Sequence, residues 1–285
     1  MPQFRQLRFS STADGVIPSV ATITKELDVS PWYRLTAPAT VLVSLGVPAS
    51  LPAQAHHPAH WTYEGEAGPA HWGSLDPAFA RCAMGHAQSP IDISAPKSQS
   101  LPKLSLHYQE TQISVVNNGH TIQVAYDPGS SLEIEGTRYQ LIQFHFHTPS
   151  EHTFAGKHAP AELHLVHRSG DGRLAVIGVL LQSGQENAAL APLWQHLPAV
   201  EGPARHIDAR INAQDLVPAQ HASYRYEGSL TTPPCTEGVK WIVMTTPVTL
   251  SEQQLNQLRT ILHDDSRPVQ RLDGRTVASD ATSSR

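Results

Sequence analysis

Hydrophobic and polar residues alternate along much of this chain, most sharply from Tyr139 to His147, a run that ends Q-F-H-F-H. Successive side chains of a strand point to opposite faces, so Phe144 and Phe146 fall on one face and His145 and His147 on the other. A second run, Ala161 to His167, alternates in the same way, with Glu162 and His164 on one face and His167 further along. Further strand-like runs cover Ile113 to Val116, Thr121 to Tyr126, Leu132 to Glu135, Leu174 to Leu181, Ser223 to Tyr226 and Val239 to Thr245. Turn formers separate them: Asn117-Asn118-Gly119, Asp127-Pro128-Gly129, Glu135-Gly136 and Ser169-Gly170-Asp171-Gly172. Strands without intervening helical periods predict a mainly β protein, a single domain around a large, mostly antiparallel, twisted central sheet with a few peripheral helices.

Helical patterning is scarce. Glu186 to Leu197 places Leu190, Leu193, Trp194 and Leu197 on one stripe. Ser251-Glu252-Gln253-Gln254 is a capping box, followed by Leu255, Leu258 and Leu262 on one face. Both helices are expected on the outside of the sheet.

The first 60 residues are patterned differently. Arg34, the apolar stretch Leu35 to Leu51 and then Ala53-Gln54-Ala55 read as a secretory signal over residues 34–55, cleaved after Ala55. Two prolines and the short length make the stretch unsuited to a membrane span. Residues 1–33 include acidic positions, unusual ahead of a signal; they form an extended leader or precede the true start. The competing reading is a disordered extension on a cytosolic protein. A catalytic domain is expected over 56–275, opened by a flexible segment with His56, His57 and His60, and a disordered tail over 276–285.

Composition narrows the function. Of 285 residues, 40% are hydrophobic, enough for a core, while 23 prolines and 18 glycines indicate many turns. A net charge of −5 and the lack of any Lys/Arg-rich run exclude a nucleic-acid footprint. Cys82 and Cys235 show no C-x-x-C spacing. In an oxidising compartment a bond between them would close a loop of about 150 residues, with a chain-entropy upper figure of roughly 5 kcal/mol. Two buried thiols are the alternative.

The seventeen histidines are mostly surface candidates, and histidines at i and i+2 of a strand are often merely half-exposed. The flanking aromatics and interspersed acids favour a metal instead. Two strand residues advance about 6.6 Å, so two imidazoles can converge on one ion. Three neutral imidazoles from neighbouring strands suit a catalytic zinc that keeps its fourth position for water.

Together with Q-F-H-F-H, the segments S-E-H-T, A-E-L-H-L-V-H, N-N-G-H and G-S-L-T-T-P-P occur in the order and spacing of an α-class carbonic anhydrase. Q-S-P-I-D-I near Gln88 and R-P-V-Q near Arg267 extend the match from about Trp61 to Gln270. The chain thus resembles the bacterial, secreted or periplasmic subset of that family. The resemblance implies a Zn2+ enzyme that hydrates carbon dioxide to bicarbonate and a proton, with His145, His147 and His164 as ligands. Gln143, Glu162 and a backbone carbonyl would accept from the free ring N–H groups. Thr231 and Glu151 would orient the attacking hydroxide, and Thr232 would contact bicarbonate. His120 would be the proton shuttle, with Tyr63, Asn118 and Gln123 lining its water path. Val166, Val176, Leu230, Val239 and Trp241 would form the apolar wall against carbon dioxide. Cys82 and Cys235 match the disulfide positions of secreted members.

The sequence departs from the family pattern at several points. Gln123 stands where many relatives have Asn, which puts the ordering of that water in doubt. Thr148-Pro149 replaces a common aromatic, and Arg168 and Tyr224 differ from the usual animal residues at the rim of the cleft. The alternatives are a zinc-dependent esterase and a non-catalytic binding module; loss of any one of the three histidines would have favoured the module. Small-molecule carbon dioxide or bicarbonate is the expected partner, with no membrane insertion of the mature chain, and a homodimer is compatible with the sequence.

Overall fold

A computed structural model describes residues 59–280. The leader and the signal expected over 1–33 and 34–55 lie outside these residues, as do His56 and His57.

Nine longer strands carry the sheet: β1 (Glu110–Asn117), β2 (Ile122–Ala125), β3 (Ser131–Ile134), β4 (Thr137–His147), β5 (Ala161–Ser169), β6 (Leu174–Ser183), β7 (Arg205–Asn212), β8 (Ser223–Ser229) and β9 (Glu237–Met244). With short edge pieces they form a 13-stranded sheet, ordered β8-β9-β6-β5-β4-β2-β1-β7 through its middle. Pairing is antiparallel except where β6 runs parallel to β9 and to Val248–Leu250, and where Lys97–Ser98 runs parallel to Ala278–Ser279. The parallel contact follows from connectivity. After β6 the chain crosses to the far edge to make β7 and returns as the β8–β9 antiparallel pair, a crossover of the kind parallel neighbours require.

Alternation sorts the two faces. Tyr139, Leu141, Phe144, Phe146, Leu163, Leu165, Ile177 and Val179 point into the large core. That core is closed by helix α1 (Glu252–Leu262), whose Leu255, Leu258 and Leu262 are buried. The capping box forms as expected: Ser251 accepts from the Gln254 N–H, and the Gln254 side chain reaches back to Ser251 N. The other sheet face carries His145, His147, Glu162 and His164 beside a smaller apolar cluster of Val176, Tyr226, Val239 and Trp241.

Two expectations need correction. Glu186 to Leu197 is not one helix but a 3-10 turn, Ala188–Leu190, followed by a single α-turn, Ala191–Trp194. Pro192 has no N–H to donate and fits only the first turn of a helix, so a long helix through it is excluded. The tail expected to be disordered over 276–285 is ordered through its first half. Ala278–Ser279 pairs with Arg225 and Tyr224 of β8 on one side and with Lys97–Ser98 on the other. Asp280 Oδ1 accepts from Ser223 N at 2.7 Å. Main-chain pairing is indifferent to the polarity of the side chains, so a polar tail can close a sheet edge. Residues 281–285 lie outside the described region.

Candidate metal centre

β4 and β5 meet in a register that sets His145 opposite His164 and His147 opposite Glu162. The three imidazoles therefore face one another, with ring centroids 5.0 Å (His145–His147), 5.2 Å (His145–His164) and 4.8 Å (His147–His164) apart. One ring nitrogen from each lies within 4.8 Å of the others, and His147 and His164 are buried.

Two of the rings have one nitrogen hydrogen-bonded, and the third has one against a carboxylate. His145 Nδ1 is 2.8 Å from Gln143 Oε1, and His147 Nδ1 is 2.9 Å from the Asp265 carbonyl oxygen. His164 Nε2 lies 3.0 Å from Glu162 Oε1, a close charge contact whose angle falls short of a hydrogen bond. That leaves His145 Nε2, His147 Nε2 and His164 Nδ1. His147 Nε2 is buried with no hydrogen-bond partner, and Glu151 Oε2, also buried and unpartnered, stands 3.7 Å from it and 3.9 Å from His164 Nδ1. A buried nitrogen and a buried carboxylate oxygen left open among imidazoles are what a cation site requires, and N-donor ligands at this spacing fit zinc.

The electrostatics agree. Burial holds the proton affinity of His145 well below the usual histidine range, with the neighbouring imidazoles adding to the effect. Burial also lowers His164, against the opposing pull of Glu162. For His147 burial acts downward too, but Glu151 and Asp265 outweigh it and push the group up to about 10. Two carboxylates, Glu151 and Asp265, thus set negative charge within 4 Å of the His147 ring. Burial tends to raise Glu162, yet His152 and His164 hold it well below the usual carboxylate range.

The other expected residues distribute as follows. Glu151 Oε1 accepts from Arg267 N at 3.0 Å; no hydrogen bond joins the buried Thr231 hydroxyl to Glu151 among the described residues. The Thr232 carbonyl accepts from Cys235 N at 2.8 Å. Val176, Val239 and Trp241 are core members of one apolar cluster, and Val166 and Leu230 pack against it, with the Trp241 ring 4.9 Å from His164. Tyr63, Asn118 and His120 line one cleft of about 730 Å³ together with Trp61 and Glu201. His120 stacks on Trp61 with centroids 3.7 Å apart, and Asn118 Oδ1 accepts from His120 N and Thr121 N. Gln123 does not line that cleft; it pairs with His145 across β2 and β4. Cys82 and Cys235 form a disulfide.

Several participants were given no role by the sequence, although His152 and Arg267 lie within the S-E-H-T and R-P-V-Q segments. Asp265 supplies the carbonyl that orients His147 and accepts from Thr148 N at 2.7 Å, across 117 to 118 residues of chain. His152 is buried, with Nδ1 2.7 Å from Glu162 Oε1 and Nε2 2.7 Å from Tyr226 Oη. The Arg267 guanidinium is buried, donating to the carbonyls of Ser89 and Cys82 and to Gln88.

Fold and site together define a class, a mainly β domain with a buried three-histidine centre on one sheet face. Residues 67–281 match the model of the eukaryotic-type carbonic anhydrase family. A carbonic anhydrase of Pectobacterium atrosepticum is 41% identical over 236 residues, covering 82% of this chain and 97% of the relative. One of Nostoc sp. is 45% identical over 224 residues, covering 76% and 85%. The solved α-carbonic anhydrase of Thermovibrio ammonificans, in complex with the inhibitor sulfanilamide, superposes with a TM-score of 0.76 at 46% identity, covering 77% of this chain and 99% of that one. The chain belongs to the carbonic anhydrase family, whose general property is zinc-dependent hydration of carbon dioxide.

Proposed function

We propose that this chain is an exported enzyme that interconverts carbon dioxide and bicarbonate with zinc held by His145 Nε2, His147 Nε2 and His164 Nδ1. The observation that carries the reading is the convergence of one nitrogen from each of the three rings, with Gln143 and the Asp265 carbonyl engaging the Nδ1 atoms of His145 and His147 and Glu162 standing 3.0 Å from His164 Nε2. When bound, zinc makes water a nucleophile near neutral pH, an effect for which carbonic anhydrases are themselves the standard case.

The protein residues do the rest. Gln143, the Asp265 carbonyl and Glu162 fix ring orientation and tautomer, and the charge on Glu162 raises the donor strength of His164. Val166, Val176, Leu230, Val239 and Trp241 exclude water from the place where uncharged carbon dioxide waits. Glu151, held by Arg267 N through Oε1, keeps Oε2 available as acceptor for the Thr231 hydroxyl, which then accepts rather than donates on its reactive side. Thr232 contacts bicarbonate. His120 takes the released proton; burial and the nearby His60 lower its proton affinity, with Glu201 opposing, which favours passing the proton on to solvent. Tyr63 and Asn118 order water in the cleft beside His120, and Gln123, paired with His145 across β2 and β4, orders water nearer the metal. Export to the periplasm or beyond the cell is supported by the Cys82–Cys235 disulfide. Among the described residues no helix is long and apolar enough to cross a membrane.

Stopped-flow carbon dioxide hydration, with zinc quantified on the same sample, tests this reading. Fast turnover at one zinc per chain, lost on metal removal, is expected; a zinc-loaded but inactive protein overturns the roles given to Thr231, Glu151 and the apolar wall. His120→Ala is expected to slow turnover in weak buffer and to recover with imidazole. Failure of that rescue removes His120 from the proton path.

A further inference from the structure

A second concave region lies on the same face of the sheet as the metal centre, further along β4 and β5. It is a cleft of about 560 Å³ whose lining includes Tyr126, Ser130, Arg138, Gln140, Arg168 and Gly170. Strand alternation builds it. Tyr139 and Leu141 turn into the large core, so Arg138 and Gln140 face the other way, and Gln140 stands opposite Arg168 in the β4–β5 register. Arg168 shares its face with His164, four residues back along β5 or about 13 Å, with Val166 between them.

The cleft has donors to spare. Arg138 Nε donates to Ser131 Oγ at 3.1 Å, which steadies the guanidinium and leaves its terminal nitrogens free. The side chains of Arg168 and Gln140 have no partner among the described residues. The surrounding acids do not neutralise the two arginines. Asp171 is taken by Arg173 at 2.9 Å and by the Ser169 hydroxyl. Glu133, the cross-strand neighbour of Arg138, is exposed and makes no ion pair with it among the described residues. Two guanidinium groups in one cleft repel each other until a negative group joins them, and a guanidinium presents a fork that matches paired oxygens on one atom.

We propose that this cleft binds a small oxyanion, held by Arg138 and Arg168 with the Gln140 amide as a third donor. Inorganic phosphate from the surroundings and bicarbonate from the protein's own reaction share this chemistry. The inference rests on the two arginines alone and stands whether or not the metal centre acts as proposed.

The test is calorimetric titration of the zinc-loaded chain with inorganic phosphate and, separately, with bicarbonate. Saturable binding is expected, weakened by added salt and at least roughly tenfold weaker in Arg138→Gln/Arg168→Gln, with carbon dioxide hydration unchanged. Tighter binding of phosphate assigns the site to an environmental anion, and tighter binding of bicarbonate assigns it to the product. Arg168→Lys, which keeps the charge but loses the fork, provides a milder variant and is expected to bind with intermediate affinity. Absence of saturable binding of either anion overturns the proposal. So does equal affinity in wild type and the arginine variants, which would place all the binding at the metal centre.

Discussion

Two groups of titratable side chains share His164, and by residue type either could hold an ion: His145, His147 and His164 in one, His152, Glu162 and His164 in the other. They differ in what is left over. His152 has both nitrogens engaged, by Glu162 and by Tyr226, and Glu162 has both oxygens engaged, since Oε2 also accepts from His152 N at 2.9 Å. In the first group His147 Nε2 has no partner and the acid at hand, Glu151, keeps one oxygen open. Proximity of the right residue types is therefore a weak criterion. Unspent hydrogen-bonding capacity, buried and convergent, separates a ligand from its support.

That contrast can be broken by substitution. The largest effect is expected from His147→Ala, which removes a converging nitrogen: zinc measured by atomic absorption falls from stoichiometric to none, and full retention would refute the ligand set. His152→Ala should do the opposite, keeping zinc near stoichiometric while costing about 3 to 5 kcal/mol in denaturant unfolding, because Glu162 and Tyr226 lose a buried partner. Loss of zinc from that folded variant would make the second group the metal site.

His167 supplies a third case, a buried imidazole on the core side of β5 whose nitrogens lie 2.8 Å from Tyr108 Oη and 3.3 Å from the Ala175 carbonyl. Burial pushes it down to about 4 from its ordinary 6.5. The unfolded chain takes up a proton near pH 6.5 that the folded one resists until about pH 4. Its stabilising contribution is thus complete above pH 6.5 and lost as pH falls through that window, reaching about 3 kcal/mol at pH 4. Unfolding free energies at pH 7 and pH 4 should fall less steeply for His167→Gln; an identical fall would mean that His167 does not titrate as its burial requires. The smallest effect is expected from Gln143→Ala, which frees His145 to turn and weakens zinc binding roughly tenfold in chelator competition.

The parts of this architecture legible in the sequence were those with a buried face. β4 and β5 announced themselves because their inward residues alternate with histidine and glutamate over seven to nine positions, and α1 because a capping box precedes a leucine stripe. Edge pieces such as Lys97–Ser98 and Ala278–Ser279 are two residues long and have no period to read. β7, with His206, Asp208 and Arg210 among its residues, was not among the expected strands; it lies at the sheet edge with much of its surface exposed. Within the site, the roles of Gln143 and Glu162 came from the family resemblance, whose motifs on the ligand strands contain them. Asp265 had no such motif, and Arg267, though it opens the R-P-V-Q motif, carried no role, since nothing local links either to residues more than a hundred positions earlier.

The lateness of those two residues has a consequence for the order of events in biosynthesis. The three histidines lie between positions 145 and 164, but the carbonyl that aims His147 and the N–H that anchors Glu151 come from residues 265 and 267. A nascent chain with these three histidines translated still lacks the parts that hold His147 and Glu151 in place. The centre is completed only when the C-terminal segment docks, so if the chain is exported unfolded, as the proposed function implies, it would cross the membrane as apoprotein and acquire its metal on the far side.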